Sequence, residues 1–385
     1  MSIVERNDVA DVAGRFVSLA AELGEEFASH AARHDRDGTF VTEAFEIMRE
    51  RGYLSLAVPA ELGGMGATIA EVTRAQETMA RYDASASLAV TMHQHIVLFA
   101  AWRYRRGMPG AEQLLRRVVE DRIVLATTGG ADWTRPNGTA VKVEGGWVVN
   151  GRKPFASQAP VADVFSMLFT AETPDGGREV IGASIPAGAP GLEMIETWDT
   201  IGMRGTGSHD LQLTDVFVPD AAATPPRPWG VIDPPLMTIA LHAMPPIAGV
   251  YLGLADAARD RALAHLAGTA KADDPLVQRQ VGLLDGRLRM ARWALYGLLG
   301  EIGHDPEPSL ALVVSLFQAK RAINDELVAA CDLAMEIVGG AAYFRKLGIE
   351  QAVRDIRALK YHPLPSDAAL VFAGRSALGL PAGEL

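Results

Sequence analysis

The hydrophobic periodicity of this 385-residue chain changes twice, and that change limits the folds open to it. Residues 8 to about 120 repeat at three or four. In AGRFVSLAAELGEEFASHAARH, Phe16, Leu19, Leu23 and Phe27 fall on one stripe, as the buried face of a helix requires. The loop VPAELGGMGAT at 58–68 interrupts this zone, and a second apolar helix follows with Leu88, Val90, Ile96, Val97 and Phe99. From about 122 to 220 the period is two. VKVEGGWVVNG predicts a hairpin with positive φ at Gly145-Gly146. VFSMLFTA, VIGASIP, LEMIE and LQLTDVFV are further short runs with no helix-length spacer between them, which predicts an antiparallel barrel or sandwich rather than βαβ units. ATPPRPWGVIDPP at 223–235 reads as the linker out of this zone. From about 236 the chain is helical again. Ile323, Leu327, Ala330, Ala334 and Ile337 share one stripe, and Gly339-Gly340 ends that helix.

The expected fold is therefore α+β and multidomain. It comprises an N-terminal α-helical domain over 1–121, a middle antiparallel β-barrel or sandwich domain over 122–230, and a C-terminal four-helix bundle domain over 231–385.

Composition narrows the partners. There are 36 Lys+Arg against 47 Asp+Glu, a formal charge of −11, and no long basic cluster, so nucleic acid is a poor partner. The single Cys331 excludes an internal disulfide and a Cys-rich zinc site, and points to a reducing compartment, the cytoplasm. MSIVERNDVADVAGR carries charges where a signal peptide needs an apolar core. The 22 uncharged residues between Asp233 and Asp256 are long enough to cross a bilayer. They contain His242 and Pro245-Pro246 and lack a flanking positive cluster, so a buried helix, and no membrane partner, is expected.

Common chemical motifs are absent. There is no GxxxxGK[ST], no GxGxxG between strand and helix, no GxSxG and no HExxH. His93 and His95 are two apart on a helix and face away from each other, so helix packing or solvent exposure is expected rather than shared metal ligation. Cys331 sits in a helix interior and reads as inert core, and Glu25-Glu26 as a solvated helix face.

The succession of segments resembles the acyl-CoA dehydrogenase family of flavoproteins, over nearly the whole chain and in the right order. VPAELGGMGA at 58–67 is similar to the family's Pro-Glu-x-x-Gly-Gly-x-Gly loop. LATTGGAD at 125–132 stands where the family has Thr-Glu-Pro and Gly-Ser-Asp, with Ala131-Asp132 in place of the latter. GWVVNGRKPFASQAPVAD at 146–163 resembles the strand carrying Asn-Gly-x-Lys-x-Trp-Ile-Thr, and IGMRGTGSHDLQLTDVFVP at 201–219 the Gly-x-Arg-x-Ser…Val-x-Val-Pro segment. MEIVGGAAY at 335–343 and VRDIRALKYH at 353–362 look like the last two signatures.

The resemblance implies FAD held between the middle domain and the C-terminal bundle, as an electron sink for a positioned base. Thr127 and Ser157 match positions that hydrogen-bond the flavin ring, Phe155 matches an aromatic near its edge, and Ala156 lies between them. Arg261 matches an arginine reaching the FAD pyrophosphate of a neighbouring subunit, Gln278 a nearby FAD contact, and Gly339 and Gly340 the turn that lets backbone approach the cofactor. Arg204 and Ser208 match substrate contacts. The plain structural alternatives are that Ser157 caps a strand and Arg261 is a solvated bundle charge. The resemblance also implies a homotetramer, a dimer of dimers, and electron-transfer flavoprotein or a flavin reductase as partner.

The departure concerns the base. Where the family has Tyr-Glu-Gly-Thr, this chain has Tyr361-His362-Pro363-Leu364, so His362 takes the carboxylate position. The helix that carries the Glu in a subset of the family reads LMTIALHAM here, without a carboxylate. Three readings follow. The first is an FAD-dependent dehydrogenase oxidising the α,β bond of an acyl thioester such as an acyl-CoA, with His362 as base near its ordinary pKa. The second is a two-component flavin monooxygenase taking reduced flavin from a partner reductase and, with O2, hydroxylating a small aromatic or heterocyclic substrate, a branch of the superfamily similar in having His after an Arg-Asp run, as Arg354-Asp355 and His362 do, and a Ser on the Ser157 strand. The third is a non-catalytic subunit of a hetero-oligomer.

Overall fold

Side chains at the helix starts fix where the long helices begin. Asp83, Asp233, Asp274 and Ser309 each accept a hydrogen bond from a backbone N–H of the first turn, and Thr68 and Glu71 form a reciprocal capping box. In the computed structural model, which describes residues 3–128 and 133–381, these caps open α3 (Ile69–Ala80), α4 (Ala84–Arg105), α6 (Pro234–Leu266), α7 (Pro275–Ile302) and α8 (Leu310–Val338). Helices α1 (Ile3–Asp37), α2 (Thr42–Glu50) and α5 (Ala111–Glu120) complete the first zone, and α9 (Ile349–Asp355) and α10 (Ser366–Ala377) the last.

Between them lie β1 (Leu125–Thr127), β2 (Thr139–Val143), β3 (Gly146–Ala156), β4 (Val164–Glu172), β5 (Arg178–Pro186), β6 (Leu192–Ile195), β7 (His209–Pro219) and β8 (Arg227–Pro228). They form one sheet in the order β6-β7-β3-β2-β4-β5-β8, with β1 beside β4. The ladders are antiparallel as expected, except that β1 and β4 pair in parallel and β2 touches β4 once in parallel. The β2–β3 hairpin between β1 and β4 makes this direction available, because it returns the chain to the end from which it left. The hairpin turn itself is Glu144-Gly145. Gly145 alone has positive φ, and Gly146 is already the first residue of β3, paired with Val143. The expected Gly145-Gly146 turn is thus displaced by one residue.

One apolar core runs through both helical zones, joining Leu23, Met79 and Leu88 to Leu241, Leu252 and Phe317. The strands enclose a second core around Val149, Phe165, Phe169 and Ile181. The stripe expected on α8 is buried throughout. Helix α6 holds the uncharged stretch, and 89% of its most apolar window is buried inside the protein, as is 89% of that of α4. Both are core helices. Helix α6 approaches α3 closely because Gly253 has no side chain. A Cβ there would lie 1.9 Å from the Glu77 carbonyl oxygen. Cys331 is buried in α8, as expected, with its thiol pKa pushed up by burial and the charge of Asp332.

His93 and His95 are both packing residues. His93 bonds Leu54 O through Nε2 and accepts from the Leu125 N–H at Nδ1, so it pins α4 to the start of β1. Burial holds both imidazoles down at about 4.

Candidate active site

The end of β3 carries the unusual backbone of the β zone. Phe155 and Gln158 both have positive φ, 61° and 58°, and the β3–β7 register slips between Lys153 and Ala156. Side chains that are not glycine rarely adopt this conformation without tertiary support. Here the support is visible. The Gln158 N–H donates to Thr206 O, and its side-chain Nε2 donates to Leu125 O at 2.7 Å. Gln158 therefore ties the Phe155–Ser157 turn to both β1 and the 203–207 turn, while its Oε1 is left buried without a donor.

This bracing presents specific groups. Phe155 is 54% exposed, with its ring edge-on to Trp198 at 6.0 Å. Ala156 is buried and paired with His209. Ser157 Oγ is 2.8 Å from Ser208 Oγ, which is 2.7 Å from Thr206 Oγ1. On β1, Thr127 Oγ1 donates to Ser166 O on the neighbouring strand. Thr127 and Ser157 are half-buried, so each keeps a face toward solvent beside the exposed aromatic edge. An exposed aromatic and two part-exposed hydroxyl residues, on β1 and on the turn after β3 that Gln158 ties to it, fit a flat heteroaromatic ring with polar edges. The Gly-Ser-Asp element expected at Ala131-Asp132 lies outside the described residues.

His362 lies elsewhere, on the loop after α9. Its Nε2 is 2.8 Å from the Tyr251 hydroxyl on α6. The buried ammonium of Lys320 on α8 donates to the carbonyls of His362 and Leu364. Burial, helped by the Lys320 charge, pushes the His362 imidazole down to about 3, and burial brings Lys320 down to about 7. The imidazole is thus neutral at physiological pH, with Nε2 engaged by the Tyr251 hydroxyl.

A third cluster joins the three zones. Arg354 pairs with Asp35 of α1 through both guanidinium amines and with Glu350, and it also donates to Ile201 O. Asp355 is fully buried and accepts from the Met203 N–H, its carboxyl raised to about 7 by burial and the nearby Asp35. Arg204 donates to Asp35 O, Thr200 O and Asp199. Arg204 Nε and Nη1 are thus engaged by protein oxygens.

The remaining expected cofactor residues sit in the C-terminal zone. Arg261 on α6 donates to Gly348 O, and Gln278 on α7 donates to Ala272 O. Lys271 donates to Val338 O beside Gly339, which caps α8, so Gln278, Gly339 and Gly340 gather around the 270–273 turn. No direct hydrogen bond among the described residues joins this group to Ser157.

Gln158, Thr206, Tyr251 and Lys320 were not singled out by the sequence. One signal was available: Lys320 falls three before Ile323, on the buried stripe of α8.

Comparison with known proteins agrees with the fold. Residues 16–104, 126–216 and 237–361 match the acyl-CoA dehydrogenase N-terminal, middle and C-terminal domains. YdbM of Bacillus subtilis, named as an acyl-CoA dehydrogenase, is 30% identical over 96% of this chain and 97% of its own. The L-evernosamine nitrososynthase of a Micromonospora species is also 30% identical, over 96% of this chain and 91% of its own. The structure of KijD3 in complex with FMN and a dTDP-linked 3-amino-4-keto sugar superimposes with a TM-score of 0.88 at 28% identity, covering 96% of this chain and 94% of that one.

Proposed function

The chain belongs to the acyl-CoA dehydrogenase family, and we propose that it works there as a flavin-dependent monooxygenase acting on an amine-bearing small molecule. The observation that carries this reading is the state of His362. Removing an α proton from a thioester needs a group ready to accept it. The candidate at that position is held neutral at a pKa of about 3, with Nε2 on the Tyr251 hydroxyl. Such a group hydrogen-bonds and orients well, and is a poor base.

The residues at the end of β3 and on β1 would hold a flavin ring, with Phe155 and Trp198 against it and the Thr127 and Ser157 hydroxyls at its rim. Bound reduced flavin would supply the two electrons that, with O2, place one oxygen atom on the substrate nitrogen and release the other as water. The protein's part is then positioning and exclusion of water. The amino-sugar activity named for the nitrososynthase and the FMN and amino sugar in KijD3 support this class. FMN and FAD are both candidates, and a separate flavin reductase is the partner that the reading requires.

The test pairs two incubations. With NADH, a flavin reductase and O2, a panel of dTDP-linked amino sugars and primary alkylamines is expected to yield a product heavier by one oxygen atom. In the second, oxidised flavin and the protein are mixed anaerobically with an acyl-CoA panel. Bleaching there, with no oxygenated amine in the first, overturns the reading in favour of dehydrogenation.

A further inference from the structure

The loop that interrupts the first helical zone borders a cavity of about 430 Å³. Pro59, Ala67 and Ile69, from the loop and the start of α3, line it together with Leu98 and Ala101 of α4 and His242 of α6, and all six are buried. Ala60, Glu61, Arg105 and Asp305 also line it and are exposed, so they mark its mouth. Neither the Phe155–Ser157 turn nor His362 contributes to its lining. The buried end carries one orphaned polar atom. His242 is fully buried, and its Nε2 has no hydrogen-bond partner. Its Nδ1 lies 2.7 Å from Thr238 O, one turn back on the same helix. A carbonyl has no proton to give, so Nδ1 carries the hydrogen and Nε2 is a bare lone pair. With Nδ1 turned to its own helix, the far edge of the ring, which bears Nε2, is the edge left to the cavity. Phe99 and Trp102 stand edge-on to the imidazole at 6.3 Å and brace its plane.

We propose that this cavity is a second ligand site, separate from the flavin site, which takes a neutral, mostly apolar molecule with one hydroxyl donor, of the class of the alkylphenols. The lone pair of Nε2 calls for a donor, because a buried acceptor left unmet is costly. Burial also holds the imidazole down at about 4, so Nε2 stays unprotonated at neutral pH. The buried walls are aliphatic, so the rest of the ligand is apolar. The volume exceeds what a single water needs and falls in the range of small-molecule sites. A cation is disfavoured at the floor, because both carboxylates stand at the mouth and Asp305 is already held by Arg105 and Arg106. An anion fares no better, because Arg105 spends Nε and Nη2 on Asp305 and the floor offers an acceptor only. Among neutral donors a phenolic O–H is stronger than an aliphatic one, and its ring suits the apolar walls. The site stands whether or not the flavin reading does.

The experiment is a calorimetric titration of the full-length protein with p-cresol and with p-xylene, which have the same shape and differ by O–H against CH3. The wild type is expected to bind p-cresol once per chain, and the His242 Nε2 resonance of the 15N-histidine-labelled protein to move upfield on binding. The preference for p-cresol over p-xylene is expected to fall about five- to tenfold in His242→Phe, the size of one hydrogen bond. Ala60→Trp, at the exposed mouth, is expected to abolish binding of both. Benzylamine, the cationic counterpart, is expected not to bind. No p-cresol binding at millimolar concentration, a preference unchanged in His242→Phe, or displacement of p-cresol by FMN overturns the site. Benzylamine bound as well as p-cresol overturns the ligand class. Should His242→Phe fail to fold, an unmoved Nε2 resonance in the wild type or full binding by Ala60→Trp overturns the proposal in its place.

Discussion

The Tyr251 hydroxyl lies 2.8 Å from Nε2 of His362, across 111 residues of sequence, with the two rings edge-on at 5.6 Å. Burial keeps the phenol protonated and the imidazole neutral, so the pair shares one hydrogen bond and carries no charge. Tyr251→Phe takes the hydroxyl partner away from Nε2. The expected loss is about 1–2 kcal/mol of stability, read from urea unfolding. Bleaching of oxidised flavin by acyl-CoA is expected to stay absent in the variant. Its appearance would mean that Tyr251 had been masking a working base.

Lys320 holds the loop on which His362 sits. It is 5% exposed and donates to the carbonyls on either side of Pro363. Lys320→Met removes both contacts and strands two carbonyls, against which it also removes a buried cation. The expected net loss is about 2 kcal/mol. A second readout separates this from general loosening. The Lys320 charge pushes His362 down, so the His362 titration followed by NMR is expected to move to higher pH in the variant.

The Arg354–Asp35 pair joins the last zone to the first, with Asp35 nearly buried. Arg354→Met leaves that carboxylate without its cation, and a loss of about 3 kcal/mol or more is expected, as for other buried pairs broken on one side. Arg354→Lys keeps the charge but not the two-pronged geometry and is expected to fall between. Equal stability of the Met variant and wild type by calorimetry would refute the tie.

Acid is expected to destabilise the fold from pH 6.5 downward. Burial lowers His93, His95 and His242 to about 4 and His362 to about 3, from an ordinary 6.5. Their contribution is complete above pH 6.5 and is lost as pH falls through the folded values. Asp355 works the other way. Its carboxyl is raised to about 7 by burial, so its contribution is lost as pH rises from about 4 toward 7. Burial raises Asp83 and Asp256 in the same direction, and the four imidazoles outweigh these three carboxyls in the shared window. Urea midpoints are expected to fall between pH 6.5 and 4, and His242→Phe, which puts an aromatic ring between Phe99 and Trp102, should reduce that slope by about one proton.

Gly253→Ala tests the contact between α3 and α6. The added Cβ would lie 1.9 Å from the Glu77 carbonyl oxygen, so one helix must move. The expected cost is about 1–3 kcal/mol, despite the better helix propensity of Ala. A stabilised variant would show that the helices are not held at this distance.

The order of helices, strands and helices was legible in the sequence because amphipathic periodicity is local. Phe16, Leu23 and Phe27 declare a buried face whatever they pack against, and so do Ile323 and Leu327. The Phe155–Ser157 turn and His362 were legible only through family-like motifs, and their surroundings were not. The sequence by itself determined the elements, the acidic surface and the absence of a carboxylate at the base position. Only the tertiary structure decided the surroundings of His362, because its low pKa follows from burial and the charge of Lys320, 42 residues away, and its hydrogen bond is to Tyr251, 111 residues away. The same holds for Ser157, whose hydroxyl meets Ser208 and, through it, Thr206, both about fifty residues further along the chain. Electrostatics and hydrogen-bond polarity depend on who is near in space, and the local pattern of a chain does not carry that.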